Sequence, residues 1–146
     1  MSSGTWVHVT SLRLNAIDAF KPLARDVVVA GHGRDSIALL VVPDVEQCRD
    51  WAKLPTEAST KQVLEHSSVR AHVRSGMNRM QLESRGSSMH AQAALLLEEP
   101  PSADAGEITD KGYINQRAVL DRRAALVSSL FDPTDLTVIR FSGAPR

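Results

Sequence analysis

Two short apolar runs, Val27–Ala30 and Ile37–Val42, constrain this chain most. Each is too short for a helix, is rich in β-branched residues, and is closed by a chain breaker, Gly31 in one case and Pro43 in the other. Such runs read as buried strands. The turn residues Gly31-His32-Gly33-Arg34-Asp35 lie between them, so the two strands should form an antiparallel hairpin. A buried hairpin needs helices packed on it, and 146 residues are enough for one domain with one core. Aromatics are few (two Trp, three Phe, one Tyr), so that core must be mainly aliphatic.

The rest of the chain supplies the helices. Trp6, Val7, Val9 and Leu12 partly alternate and predict a strand or hairpin edge at the start. Asn15–Ala24 reads as a short helix carrying Ile17 and Phe20 on one side, ended by Pro22. Asp44 with Gln47, and Ser59 with Gln62, have the three-residue spacing of helix N-terminal caps. The first helix should run through Cys48 and Trp51 to about Leu54, before Pro55. The second should run from Lys61 to about Glu83, with a break near Ser67. Val69, Val73, Met77 and Met80 recur on one face of it and predict core. A turn at Arg85-Gly86-Ser87-Ser88 leads to a third strand, His90–Leu97. Asn115 should cap a last helix reaching about Leu130, with Leu120, Ala124, Val127 and Phe131 as its apolar stripe. Its cluster of Arg117, Asp121 and Arg122 reads as a solvated face. Leu136–Phe141 could add a short strand, and the final five residues should be loose. The class expected is α+β: a small sheet of about three core strands with packed helices, plus an N-terminal β-hairpin.

Between the third strand and the last helix lies a polar turn, Glu107-Ile-Thr-Asp-Lys-Gly-Tyr-Ile-Asn-Gln-Arg117, reached through the stiff linker Pro100–Gly106. It carries Lys111, the only lysine after Lys61. A lysine beside a glycine in a loop can hold a cation out towards an anion, because glycine frees the backbone and the lysine stem is long.

Gly106–Val127, GEITDKGYINQRAVLDRRAALV, resembles the C-terminal signature of the feruloyl-CoA synthases, members of the adenylate-forming (AMP-binding) superfamily of acyl-CoA synthetases. The opening SSGTWVHVTSLRL resembles the first segment of the same small domain. DVVVAGHGRDSIALLVVP and ALLLEEPPSADAGEITDKG fit its middle. The resemblance covers nearly the whole chain and is loose between Asp50 and Met89. It implies that residues 1–146 are one C-terminal lid domain, with the large N-terminal AMP-binding domain absent. Lys111 would supply the cation for adenylation, with Thr109, Asp110 and Gly112 shaping its loop. Family members more often place glycine before this lysine; here Asp110 precedes it and Gly112 follows. Gly4, Thr5 and Trp6 would border the coenzyme A channel. ATP, with Mg2+, and coenzyme A would be co-substrates of the whole enzyme, none of them bound by this domain alone. Hydroxycinnamic acid would be the acid, and the missing large domain the partner. The alternative is a stand-alone, non-enzymatic domain of the same fold that binds a protein.

The residues themselves exclude several other classes. With 17 basic and 17 acidic residues, the net charge of zero argues against a nucleic-acid protein working through a strong basic field. No apolar run approaches the length of a membrane span. A single cysteine, Cys48, cannot form an internal disulfide; with no secretory leader in view, a cytoplasmic location is expected. His66 and His72 stand six apart, off a common helix face, and no cysteine pair accompanies them, so no metal site is expected. Gly86-Ser87-Ser88 is not a nucleophile elbow, and no glycine-rich phosphate loop is present.

Overall fold

The computed structural model of the chain describes residues 2–31, 37–83 and 91–140, with backbone alone at 2–10 and 83. The order of elements is α1 (Ser2–Ala19), β1 (Ala24–Ala30), β2 (Ile37–Pro43), α2 (Val45–Ala52), α3 (Thr60–Glu65), α4 (Ser67–Glu83), β3 (Ala91–Leu96), α5 (Gln116–Arg122), α6 (Ala124–Leu130) and β4 (Ile139–Arg140). One four-stranded sheet runs β1-β2-β3-β4. The β1–β2 pair is antiparallel, with Val28 opposite Leu40. Strand β3 then joins β2 in parallel, and the short β4 joins β3 antiparallel. The α+β class is as expected.

Alternation along β1 and β2 divides the core into two layers. Val27, Val29, Leu39 and Val41 face one side, packed against Leu12, Ala16 and Phe20 at the α1 end and Val73, Met77 and Met80 of α4. Val28, Ala30, Leu40 and Val42 face the other, packed against Val119 and Leu130 of α5 and α6. Because both faces are covered, the strand sequences are continuous apolar runs. A third cluster, Leu23, Cys48, Ala52, Val63, Leu64 and Val69, fills the space beneath α2 and α3.

Caps appear where the spacing puts them. Asp44 accepts from the Gln47 amide, and Ser59 and Gln62 form a reciprocal capping box. The break near Ser67 is real: His66 separates α3 from α4, and its Nδ1 accepts from the Ser68 amide. The turns expected at His32–Asp35 and Arg85–Ser88, the first residue of the third strand, His90, and the tail from Phe141 lie outside the described residues.

Two expectations are corrected. No hairpin occupies the opening residues; Ser2–Ala19 is a single helix. Leu12, Ala16, Ala19 and Phe20, all buried, recur at helical spacing over nine residues, and that longer period outweighs the brief alternation around Val7 and Val9. The helix read from Asn15 to Ala24 overlaps only its last five residues, Asn15–Ala19, and Ala24 already begins β1. The last helix is two helices with Arg123 between them, at φ −106° and ψ 38°. Its buried positions are Val119, Arg123 and Leu130, one residue out of phase with the expected stripe, and Ala124 is exposed.

Gly76 sets how closely α4 approaches the end of α1. A Cβ there would lie 2.6 Å from Phe20 Cδ1 and 2.9 Å from the Ala19 carbonyl oxygen. Gly76→Ala should therefore lower stability by about 1–3 kcal/mol through overpacking, despite a gain in helix propensity of about 1 kcal/mol. Urea titration of the two proteins checks this; a more stable variant would mean that the Phe20 ring yields freely.

Candidate functional site

The Lys111 loop is a small hairpin outside the sheet. Ile108 and Ile114 form an antiparallel bridge, and the turn between them is closed by its own backbone. The Thr109 amide donates to the Tyr113 carbonyl at 2.7 Å, and the Gly112 amide donates to the Thr109 carbonyl at 2.9 Å. Thr109 Oγ1 accepts from the Tyr113 amide at 3.1 Å, which explains a threonine at the turn's entrance. Gly112 has φ +87°, a left-handed conformation that residues with a side chain resist. Thr109, Asp110 and Gly112 share this turn with Lys111.

Asp110, Lys111 and Gly112 form the exposed tip, with Tyr113 68% exposed beside them. Among the described residues no carboxylate pairs with Lys111, although Asp110 adjoins it. Clefts of about 520 and 340 Å³ lie elsewhere, around Ala58 and His66 and around Leu95 and Arg123, and neither is lined by Lys111. The tip can therefore present one ammonium group to an anion.

The base of the loop is unlike the tip. Glu107 is fully buried, and Arg123 is 7% exposed. The Glu107 carboxylate accepts from Arg123 Nε at 2.7 Å, Arg123 Nη2 at 3.0 Å, Arg122 Nη1 at 3.0 Å and the Ser102 amide at 2.9 Å. The Arg123 hydrogen bonds, the Ser102 amide and the positive charges of both arginines hold its pKa at about 2 against an ordinary 4.5, although burial opposes them. Arg123 also donates to the carbonyls of Glu99 and Pro100, at 2.9 and 3.1 Å. Arg117, Asp121 and Arg122 are exposed, as expected of a solvated face, with Arg117 3.9 Å from Asp121, but the next residue, Arg123, is sunk beneath the loop. The physical reason is the acid at Glu107, which makes burial of a guanidinium affordable.

The far leg is held by Asn115 and Gln116. Asn115 caps α5 by accepting from the Ala118 amide, and its own amide donates to the Glu107 carbonyl at 2.8 Å. Gln116 Oε1 accepts from the Val29 amide and its Nε2 donates to the Val27 carbonyl, both at 3.1 Å. Its side-chain amide thereby stands in for a neighbouring strand on the open edge of β1. Neither Glu107 nor Gln116 was singled out from the sequence. A usable signal existed for the first: Arg123 lies four residues after Val119 and seven before Leu130, on the buried stripe, and a buried cation requires an acid partner.

Gly4, Thr5 and Trp6 lie in the first turns of α1, whose later turns pack on the opposite sheet face from α5. Their side chains, and that of His8, lie outside the described residues. Cys48 is buried as expected; burial, and then the nearby Asp44 carboxylate, push its thiol up to about 12. His72 stacks obliquely on Trp51 at 4.5 Å between ring centroids. Among the described residues, no cluster of three or more His, Cys, Asp or Glu could hold a metal ion. No helix there is long and apolar enough to cross a membrane.

The fold just described, one mixed sheet between two helical layers, is also found in solved structures. The chain is similar to part of two solved structures of carboxylic acid reductase from Segniliparus rugosus. One is the A domain in complex with AMP and a co-purified carboxylic acid, at a TM-score of 0.62. The other is the A-PCP didomain in complex with AMP, at a TM-score of 0.60. Identity is 17% in both, over 84% of this chain. The chain spans 18% and 16% of the length of those proteins, respectively. No family model matches the chain, and no curated protein matches it.

Proposed function

We propose that this chain is the C-terminal lid domain of an adenylate-forming acid–thiol ligase of the feruloyl-CoA synthase kind, and that Lys111 is its adenylation lysine. The observation that carries the reading is an exposed lysine, without an ion pair among the described residues, at the tip of a firmly based turn, in a fold shared with part of an A domain solved in complex with AMP. A carboxylate oxygen of the acid attacks the α-phosphorus of ATP, the bond to pyrophosphate breaks, and an acyl-adenylate forms. Negative charge gathers on the non-bridging oxygens as this happens, and an ammonium group already in place stabilises it without reorganising. A thiol then attacks the acyl carbonyl and AMP leaves.

Lys111 alone cannot bind a nucleotide, so ATP, Mg2+ and the acid are assigned to a large N-terminal AMP-binding domain, the proposed partner. Presenting first the lysine and then a thiol channel requires the lid to turn between steps, a recognised form of domain motion. Gly4, Thr5 and Trp6 are the proposed border of the coenzyme A channel, supported by the resemblance of the opening segment. Hydroxycinnamic acid is the proposed substrate class on the same basis. The isolated chain should fold and catalyse nothing.

The test is Lys111→Ala in an enzyme joining this chain to its large domain, with the half-reactions measured apart. Pyrophosphate release from ferulate and ATP should fall by a factor corresponding to about 3–4 kcal/mol, the cost of removing a comparable preorganised contact. Thioester formation from pre-made feruloyl-adenylate and coenzyme A should survive. Loss of neither would leave Lys111 a surface charge and favour a non-enzymatic, partner-binding domain.

A further inference from the structure

We infer that Glu107 and Arg123 are positioning residues for Lys111, setting the direction in which the loop presents its ammonium group. Among the described residues the tip has no side-chain ion pair, so its position is inherited from its two legs. Glu107 holds both. Its carboxylate fastens the entering leg to Arg123, at the break between α5 and α6, and to Arg122; its carbonyl accepts the Asn115 amide of the leaving leg at 2.8 Å. Through its remaining donors Arg123 gathers the chain leaving β3 at Glu99 and Pro100. Gln116 ties the same leg to β1. Lys111 lies only four positions after Glu107, so a tilt at the base is carried directly to the tip.

Stability alone is a poor reason for such a pair. A buried ion pair commonly does no better than apolar residues of the same volume, because desolvation offsets the attraction. What the pair supplies that leucines could not is direction. Two parallel N–H bonds from a planar guanidinium fix the carboxylate in angle as well as distance.

The catalytic part of this inference rests on the reading of Lys111 above; the geometric part does not. Glu107→Gln in the 146-residue chain should speed hydrogen exchange of the Gly112, Tyr113 and Asn115 amides by about 10–100-fold more than it speeds exchange of the β1 and β2 core amides. Should that variant fail to fold, Arg122→Ala removes only one of the four donors and should produce a smaller, equally local effect, about 3–10-fold. Loop amides that change no more than core amides would overturn the inference and leave the pair as a core staple. In the joined enzyme, Glu107→Gln should lower kcat for pyrophosphate release with the KM values for ATP and acid nearly unchanged, and spare thioester formation. Loosened loop amides with unaltered adenylation would uphold the clamp and overturn its catalytic role, a result distinct from the failure of Lys111→Ala itself.

Discussion

Replacing Val73 by aspartate is expected to abolish cooperative unfolding of this chain. Val73 is completely buried on α4, in the layer formed with Leu12, Phe20, Leu39 and Met77. Helix α4 reaches the sheet through this stripe, so a carboxylate there has no route to water that leaves the layer intact. An ionised acid in that position would cost far more than the protein's whole stability. Even protonated, it would leave a polar group unsatisfied at about 2–7 kcal/mol and remove the valine's packing. A small domain is stable by only about 5–15 kcal/mol, so little or nothing remains. Thermal melting followed by near- and far-ultraviolet circular dichroism reads the outcome. Leu82→Asp is the control: Leu82 is on the same helix, 73% exposed, and should change little. A soluble Val73→Asp protein with a cooperative melt would contradict the orientation of α4.

The second large effect is expected from Glu107→Ala. It removes the carboxylate and leaves Arg123 buried with only the Glu99 and Pro100 carbonyls. Breaking a buried pair from one side costs about 3–5 kcal/mol, most of it the uncompensated charge. The pH dependence follows from the lowered pKa of Glu107, about 2 when folded against an ordinary 4.5. A carboxyl with a depressed folded pKa contributes stability that is fully present above the unfolded value and is lost as pH falls through the folded one. The stability gap between wild type and Glu107→Ala should thus be constant above about pH 4.5 and shrink steadily towards pH 2. Urea midpoints taken every half unit would show it. A gap that does not change across that window would mean the carboxylate is not held ionised by its arginines.

Both effects depend on side chains with different histories in the sequence. Val73 belongs to a stripe repeated over twelve residues, and periodicity of that length specifies a face without knowledge of its partner. Glu107 belongs to no pattern. It is one acid in a polar stretch, and its burial depends on Arg123 arriving from sixteen residues away. The last helix shows the same limit. Leu120, Val127 and Phe131 are all partly buried, so the stripe based on them was reasonable, but Arg123 turned the buried face by one position. The start of the chain failed for another reason. The partly alternating Trp6, Val7, Val9 and Leu12 fit a strand, and only contact with β1 and α4 shows that the longer helical period prevails.

What the sequence determined by itself were features carried by neighbours along the chain. Apolar runs ended by Gly31 and Pro43 made β1 and β2. Cap residues at Asp44, Ser59 and Asn115 began helices. Gly112 and Thr109 shaped the turn that exposes Lys111. Tertiary structure decided whatever needed two distant segments at once. It added β3 in parallel beside β2, clothed both sheet faces, folded residues 2–19 as a helix, and placed a buried glutamate beneath the lysine loop. The division is physical. Backbone preference and local capping act within about four residues, whereas the burial of a charge is settled only by the partner that meets it.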